Sequence, residues 1–266
     1  IHRNDKHPCT HLNPEEYLPV PVHPWQWRNK VQVLCRQLID DRSLILLPHH
    51  QIVRPSMAYN TMMPQSHSNT HIKLALDIQT PHTPRIEQSE NSSYRTALSQ
   101  WVNSLLKQSD NYQHTLFLAA ELAEINLNTT AMPNYNQKKL AASLIQNPMN
   151  LIKAEQKIIP LVSLFANSPL SNKPLLIDLI KASGLSPLTY FNQYCHKVLF
   201  SQLHLLLKYG IAFESQPHNT LVVFADHQPQ GLIIRDIEEI KIAYSVLYES
   251  VDRPNLPALS SIKTNN

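Results

Sequence analysis

Between Trp25 and Ile39 the apolar residues Val31, Leu34, Cys35 and Leu38 recur on one helical face behind the helix-starting pair His23-Pro24, so the spacing predicts a helix there. Upstream, Leu18-Pro19-Val20-Pro21-Val22 suits an edge strand or a polyproline segment. Three short runs follow, Ser43 to Leu47, Gln51 to Tyr59 and His71 to Gln79, separated by turn-forming residues, and they read as antiparallel strands. The third alternates Ile72, Leu74, Leu76 and Ile78 with Lys73, Ala75 and Asp77, which leaves the second set on a face open to a site. From Ser92 the period lengthens, with Ala97, Leu98, Trp101, Val102 and Leu105 at helical spacing. Leu116 to Ile125 fits a strand or a helix equally. Lys138 to Ile145 and Pro174 to Ala182 read as helices, and Pro187 to Tyr209 as the longest, closed by Gly210 at its C-cap. Ile211 to Glu214, Thr220 to Ala225 and Leu232 to Arg235 read as strands.

These elements predict an α+β fold in two parts: an antiparallel, β-rich segment over residues 1–90 and a mainly helical segment over 91–266 that ends in a β-hairpin. Composition narrows the function. The 42% of hydrophobic residues can supply a sizeable core, and a net charge of +3, dispersed along the chain, gives no footprint for nucleic acid. The cysteines Cys9, Cys35 and Cys195 are odd in number and lie far apart, which favours a reducing compartment, the cytoplasm. No apolar run approaches the roughly 20 residues of a membrane span, and no signal-peptide core follows Ile1. The chain opens on Ile rather than Met and reads as an excerpt of a longer one. It has only 3 glycines, all late, which argues against a glycine-rich phosphate cradle of the Walker or dinucleotide type, so side chains would have to hold any phosphate.

Candidate chemistry sits in two places. Lys73 and Arg85 could converge on an anion, although exposed cations on a solvated face fit the same spacing. The late cluster Glu214-Ser215-Gln216-Pro217-His218-Asn219, with Arg235-Asp236, places oxygen donors at strand ends, where they could hold Mg²⁺ beside phosphates. A polar hairpin turn with Asp236 as a helix cap fits equally well. A third reading, of another class, is a His-rich metal-binding protein, with His7, Cys9 and His11, the pair His49-His50, and His67 with His71 as ligands, although scattered surface or turn histidines fit the same positions better, since His67 and His71 would face together only on a helix. Ser93-Tyr94-Arg95-Thr96 opens a helix and reads as a cap, and no nucleophile elbow supports a hydrolase.

The succession Pro21-Val22-His23-Pro24-Trp25-Gln26, His71-Ile72-Lys73-Leu74 with Arg85, and Gly210 through Asn219 with Arg235-Asp236 resembles the NRPS-independent siderophore synthetases of the IucA/IucC type. Leu98-Ser99-Gln100-Trp101 and Gln146-Asn147-Pro148 add weaker matches. The resemblance implies a ligase in which ATP and Mg²⁺ activate a carboxyl of citrate or a similar polycarboxylate as an acyl adenylate, which an amine or alcohol captures. It also implies a nucleotide cleft between the two segments and a possible homodimer. On that mapping Lys73 contacts phosphate, and Arg85 bridges phosphate and substrate carboxylate. Glu214, Asn219 and Asp236 hold the metal, while Thr61, Gln216 and His218 line the nucleotide, with Gln216 also near the acid. Two motifs depart from the family. Its Ser-x-Arg-Thr reads Ala58-Tyr59-Asn60-Thr61 here, and its Glu-x-His-x-Gln-Asn has Gln216 in place of the histidine. The family's N-terminal nucleotide motif and its later substrate-binding arginines are expected outside this sequence.

Overall fold

The His23 imidazole sets the first helix: its Nδ1 accepts from the Trp25 N–H at 3.1 Å, and Pro24 occupies the first turn. This is from a computed structural model, which describes residues 12–13, 15–65, 68–78, 92–112, 114–125, 138–237 and 240–250. Helix α1 runs through Pro24–Gln26, a wide π turn at Trp27–Val31, Gln32–Leu34 and, after a break at Cys35, Arg36–Asp40. Its apolar stripe, Val31, Cys35 and Leu38, packs with Leu140 as the spacing predicted.

The strands follow in chain order: β1 (Val53–Pro55), β2 (Thr61–Pro64), β3 (Thr70–Leu74), then helix α2 (Ser92–Gln108), β4 (Leu116–Leu118), β5 (Glu121–Ile125), β6 (Ala142–Gln146) and β7 (Lys157–Pro160). Beyond them lie α3 (Leu175–Ala182), α4 (Pro187–Tyr209), β8 (Ile211–Ala212), β9 (Thr220–Ala225), β10 (Gln228–Ile234), β11 (Lys241–Ile242) and α5 (Tyr244–Ser250). One antiparallel sheet has the order β1-β2-β3-β6-β5, and a second the order β4-β10-β9-β7, in which only β10 and β4 run parallel. The ambiguous stretch Leu116 to Ile125 resolves into β4 and β5, one in each sheet, so a single run of chain ties the sheets together. The sheet carrying Lys73 takes strands from both sides of residue 90, because β3 pairs with β6.

Two expectations fail for physical reasons. Lys138 to Ile145 is not a helix: a short 3-10 turn at Lys138–Leu140 leads into β6. That strand is covered on both faces, so its apolar run lacks the alternation that marks a half-buried strand. Ser43 to Leu47 pairs with no strand among the described residues. The Asp41 carboxylate accepts from the Ser43 N–H and the Leu44 N–H returns to the Leu38 carbonyl, which makes the segment a closing turn for α1.

Between the sheets, Ala119 and Ile145 pack on Leu221, Val223 and Ile233. The outer face of the second sheet buries Val222, Phe224, Leu232 and Ile234 against α4, which contributes Tyr190, Val198, Leu205 and Tyr209. Ser186 caps α4 by accepting from the Thr189 N–H, Pro187 holds the first turn, and Gly210 ends the helix at φ 65°. A Cβ on Gly210 would lie 2.7 Å from the Ala243 carbonyl oxygen, so both its conformation and its crowding require glycine.

Candidate functional site

Antiparallel pairing sets residues directly opposite one another on a common face. Thr61 on β2 stands opposite Lys73 on β3, Lys73 opposite Ser143 on β6, and Ser143 opposite Glu124 on β5. A polar row thus crosses the sheet on the face that carries Ile145 toward the second sheet, and His71 shares that face two residues before Lys73. Thr61, Lys73, Ser143 and His71 are all buried. The other face, with Ile72, Leu74, Met62 and Ala142, is a small apolar core.

The second sheet supplies the charges that meet this row. β10 ends at Ile234, and the next two residues are Arg235 and Asp236. The Lys73 ammonium lies 3.4 Å and 3.3 Å from the two Asp236 oxygens. The Lys73 side chain is 2% exposed and that of Asp236 18%, so the carboxylate is the outer member of the pair. Arg235 is buried; its Nη2 donates to the His218 carbonyl at 2.6 Å, and its N–H donates to the Asn219 carbonyl. Burial pulls the guanidinium below its ordinary value, against the pull of Asp236. Burial, followed by the Arg235 charge, also lowers the His71 imidazole from its usual 6.5.

The late motif forms a tight turn beside this pair. The Gln216 N–H donates to the Glu214 carbonyl and the Asn219 N–H to the Gln216 carbonyl, while the Gln216 amide donates to a Glu214 carboxylate oxygen at 2.7 Å. Glu214 is exposed. An open pocket of about 460 Å³ runs along Ala212, Phe213, Glu214, Ser215, Gln216 and Lys241. The fold therefore joins Lys73 to Asp236 and ties Arg235 to the turn holding His218 and Asn219. The described contacts do not bring Glu214 to Asp236. Arg85, His7, Cys9, His11 and His67 lie outside the described residues. Among the described residues no three His, Cys, Asp or Glu side chains converge as metal ligands.

Sequence reasoning placed His71 in a motif and read Arg95 as part of a cap, but it missed Ser143 and the contacts that these residues make. The His71 Nδ1 and Ser143 Oγ are buried with no hydrogen-bond partner among the described residues, a state that costs about 1–3 kcal/mol per group. Alternation alone places His71 with Lys73, whereas Ser143 was hidden by the helical reading of its strand. The Arg95 guanidinium reaches Glu124 at 3.2 Å and Glu121 at 3.8 Å, with none of the three side chains more than 5% exposed, so Arg95 fastens α2 to β5. The Pro-Trp-Gln segment is likewise structural. Gln26 is fully buried; its amide donates to the Lys139 carbonyl and accepts from the Asp77 N–H. Asp77, expected on a site-facing strand, lies beyond β3 and binds Lys139 at 3.0 Å and Lys30 at 3.1 Å. Burial alone would raise its carboxyl, but hydrogen bonds from those two lysines outweigh it and hold it below the usual range.

Residues 2–166 match the model of the IucA / IucC family. The chain belongs to that family. Residues 188–265 also match a model described as ferric iron reductase FhuF-like transporter. A Staphylococcus aureus relative, 2-[(L-alanin-3-ylcarbamoyl)methyl]-3-(2-aminoethylcarbamoyl)-2-hydroxypropanoate synthase, is 26% identical over 86% of this chain and 38% of its own length. The L-2,3-diaminopropanoate–citrate ligase of the same species is 25% identical over 93% of this chain and 44% of its own length. The chain thus spans well under half of these relatives. Among solved structures, the petrobactin biosynthesis protein AsbB of Bacillus anthracis superposes over 96% of this chain and 44% of its own, with a TM-score of 0.83 at 19% identity. The ATP-bound aerobactin synthetase IucA of Klebsiella pneumoniae covers 86% of this chain and 43% of its own, with a TM-score of 0.69 at 21% identity. These neighbours share the mixed α+β architecture. No helix among the described residues is long and apolar enough to cross a membrane.

Proposed function

We propose that this IucA / IucC chain takes part in siderophore biosynthesis by ATP-dependent condensation of a citrate-like polycarboxylate with an amine or alcohol through an acyl adenylate. The observation that carries the reading is the pairing of Lys73 with Asp236, 163 residues apart in sequence, at the turn bearing Gln216, His218 and Asn219. A lysine ammonium in a dry seam is a strong partner for phosphate oxygens, because low dielectric amplifies its charge. Lys73 serves as the phosphate contact, Arg85 as the bridge to the substrate carboxylate, and Thr61, opposite Lys73 on β2, as a hydroxyl on the same row. Gln216 and His218 line the nucleotide side, and Gln216 also faces the acid. The setting is cytoplasmic, and a homodimer is the expected assembly.

The donors Glu214, Asn219 and Asp236 offer two carboxylates and an amide oxygen, the hard oxygen set that suits Mg²⁺. Asp236 is the partly exposed member of its ion pair and Glu214 is exposed, so both can turn to a cation arriving with the nucleotide. A magnesium ion held there would offset phosphate charge as the carboxylate bonds to the α-phosphorus, giving the acyl adenylate, and the α–β anhydride bond breaks to release pyrophosphate. Holding the anion and orienting the carboxyl falls to Lys73 and Arg85.

The test is ATP-dependent hydroxamate formation from citrate with hydroxylamine present, together with thermal stabilisation by Mg·ATP. Activity and stabilisation should both fall in Lys73→Ala and Asp236→Ala. Unchanged melting with Mg·ATP would remove the nucleotide assignment. A second reading, binding without turnover, draws on Gln216. An amide stands where the family's histidine could carry charge, and it is spent on the Glu214 carboxylate. Stabilisation by Mg·ATP without any hydroxamate would favour that reading.

A further inference from the structure

Every polar side chain on the inward face of β3 and β6 has an opposing group except two. Lys73 has Asp236, whereas the His71 Nδ1 and the Ser143 Oγ are buried without one among the described residues. Ser143 stands directly opposite Lys73, and His71 lies two residues away on the same face. Their side chains therefore share the Lys73 face of the sheet, the face that Ile145 packs toward the second sheet. The Asp236 side chain is 18% exposed and that of Lys73 2%, so the carboxylate is the outer member of the ion pair on this face. Buried polar atoms with no protein partner are where a bound group or an ordered water completes the network.

We infer that His71 and Ser143 are binding residues for an oxyanion that enters the seam when Asp236 swings away from Lys73, with the Ser143 hydroxyl and the imidazole Nδ1–H donating to its oxygens. The inference rests on the proposed function and extends its site by two residues. An oxygen of a phosphate or of a carboxylate satisfies the same donors. The charged groups that face His71 are Arg235 from the end of β10, Lys73 on its own strand with the Asp236 paired to it, and Glu121 with its Arg95 two strands away across Ile145. This surrounding favours a neutral imidazole in the free protein and a protonated one once an anion is bound.

The experiment is calorimetric titration of the purified chain with Mg·ATP and, separately, with citrate, for the unaltered protein, Ser143→Ala and His71→Gln. Ser143→Ala should weaken binding of one ligand about fivefold to tenfold while leaving the melting temperature of the free protein unchanged or higher, because it deletes an orphan hydroxyl. A purely structural serine would give the opposite: a lower melting temperature and unaltered affinity. His71→Gln should lower the proton uptake that accompanies binding near pH 6, read by repeating the titration in buffers of different ionisation enthalpy. The difference between the two proteins cancels protons exchanged by the ligand itself. Weakening for Mg·ATP alone assigns the seam to phosphate, and weakening for citrate alone assigns it to carboxylate. Affinities within twofold for both ligands in Ser143→Ala, or identical proton uptake in His71→Gln, overturn the inference and leave the proposed function standing. Failure of the unaltered chain to bind either ligand overturns both.

Discussion

Breaking the Lys73–Asp236 pair from one side and then the other should give unequal losses of stability. At 3.3 Å the charges attract by about 5 kcal/mol at an effective dielectric near 20, and desolvation cancels much of this gain. What matters on mutation is the group left behind. Asp236→Asn leaves the Lys73 ammonium, 2% exposed, in the seam without that carboxylate and should cost about 3 kcal/mol. Lys73→Met keeps most of the packed volume and leaves a carboxylate already 18% exposed, which water can reach, so about 1 kcal/mol is expected. The double variant should be less destabilised than the sum of the two, by about 1–2 kcal/mol, because neither charge is then stranded. Urea unfolding of the four proteins at pH 7 measures this through midpoints at constant slope. On heating, Asp236→Asn should lose about 6 °C or more, at roughly 2–4 °C per kcal/mol for a chain of this size. Equal losses, a larger loss for Lys73→Met, or strict additivity would refute the account of a buried cation held by a half-open carboxylate.

Further outcomes follow from other parts of the structure. Gln26→Leu should lower stability by about 3 kcal/mol in urea unfolding, since it strands the Lys139 carbonyl and the Asp77 N–H together. Gly210→Ala should cost clearly more than Gly184→Ala. Both positions have positive φ, but only at Gly210 does a Cβ meet backbone, so about 1 kcal/mol is expected at Gly184 and at least twice that at Gly210. Stability should fall as pH drops below about 6.5. The folded-state value of His71 is depressed, so the unfolded chain binds the proton more readily and stability is lost on acidification. His23, lowered by burial and then by Arg28, acts in the same direction. His71→Gln should flatten this acid limb in melting temperatures measured from pH 7.5 to 5.5, and an unchanged limb would exclude His71 as its source.

Where one face of an element is buried and the other wet, the sequence already displayed the structure. The helix Pro187–Tyr209 shows its cap, its first-turn proline and its terminal glycine in the letters alone. Lys73 could likewise be assigned to the face opposite Ile72 and Leu74 by alternation. The reading failed where burial is two-sided. Strand β6 has no polar rhythm to separate it from a helix, and with it went Ser143, the central residue of the polar row. The strand Lys157–Pro160 was missed for a related reason: four residues closed by proline carry too short a period to register.

The sequence by itself determined the family, through a succession of short motifs, and the chemical types available to the site: a lysine on an inward strand face, acids and amides at the end of a hairpin, and no glycine loop for phosphate. These are local properties, written in side-chain type and spacing. Only the tertiary structure decided which of them meet. Lys73 and Asp236 are joined because β4 and β5 carry one stretch of chain from sheet to sheet, and this sets the end of β10 over the face of β3. The same packing turned Asp77 and Gln26 into a structural clamp instead of site residues, and it left the His71 Nδ1 and the Ser143 Oγ without partners among the described residues. Contacts between residues more than a hundred positions apart depend on strand order and register, and those are fixed by how two buried sheets bury each other's apolar faces.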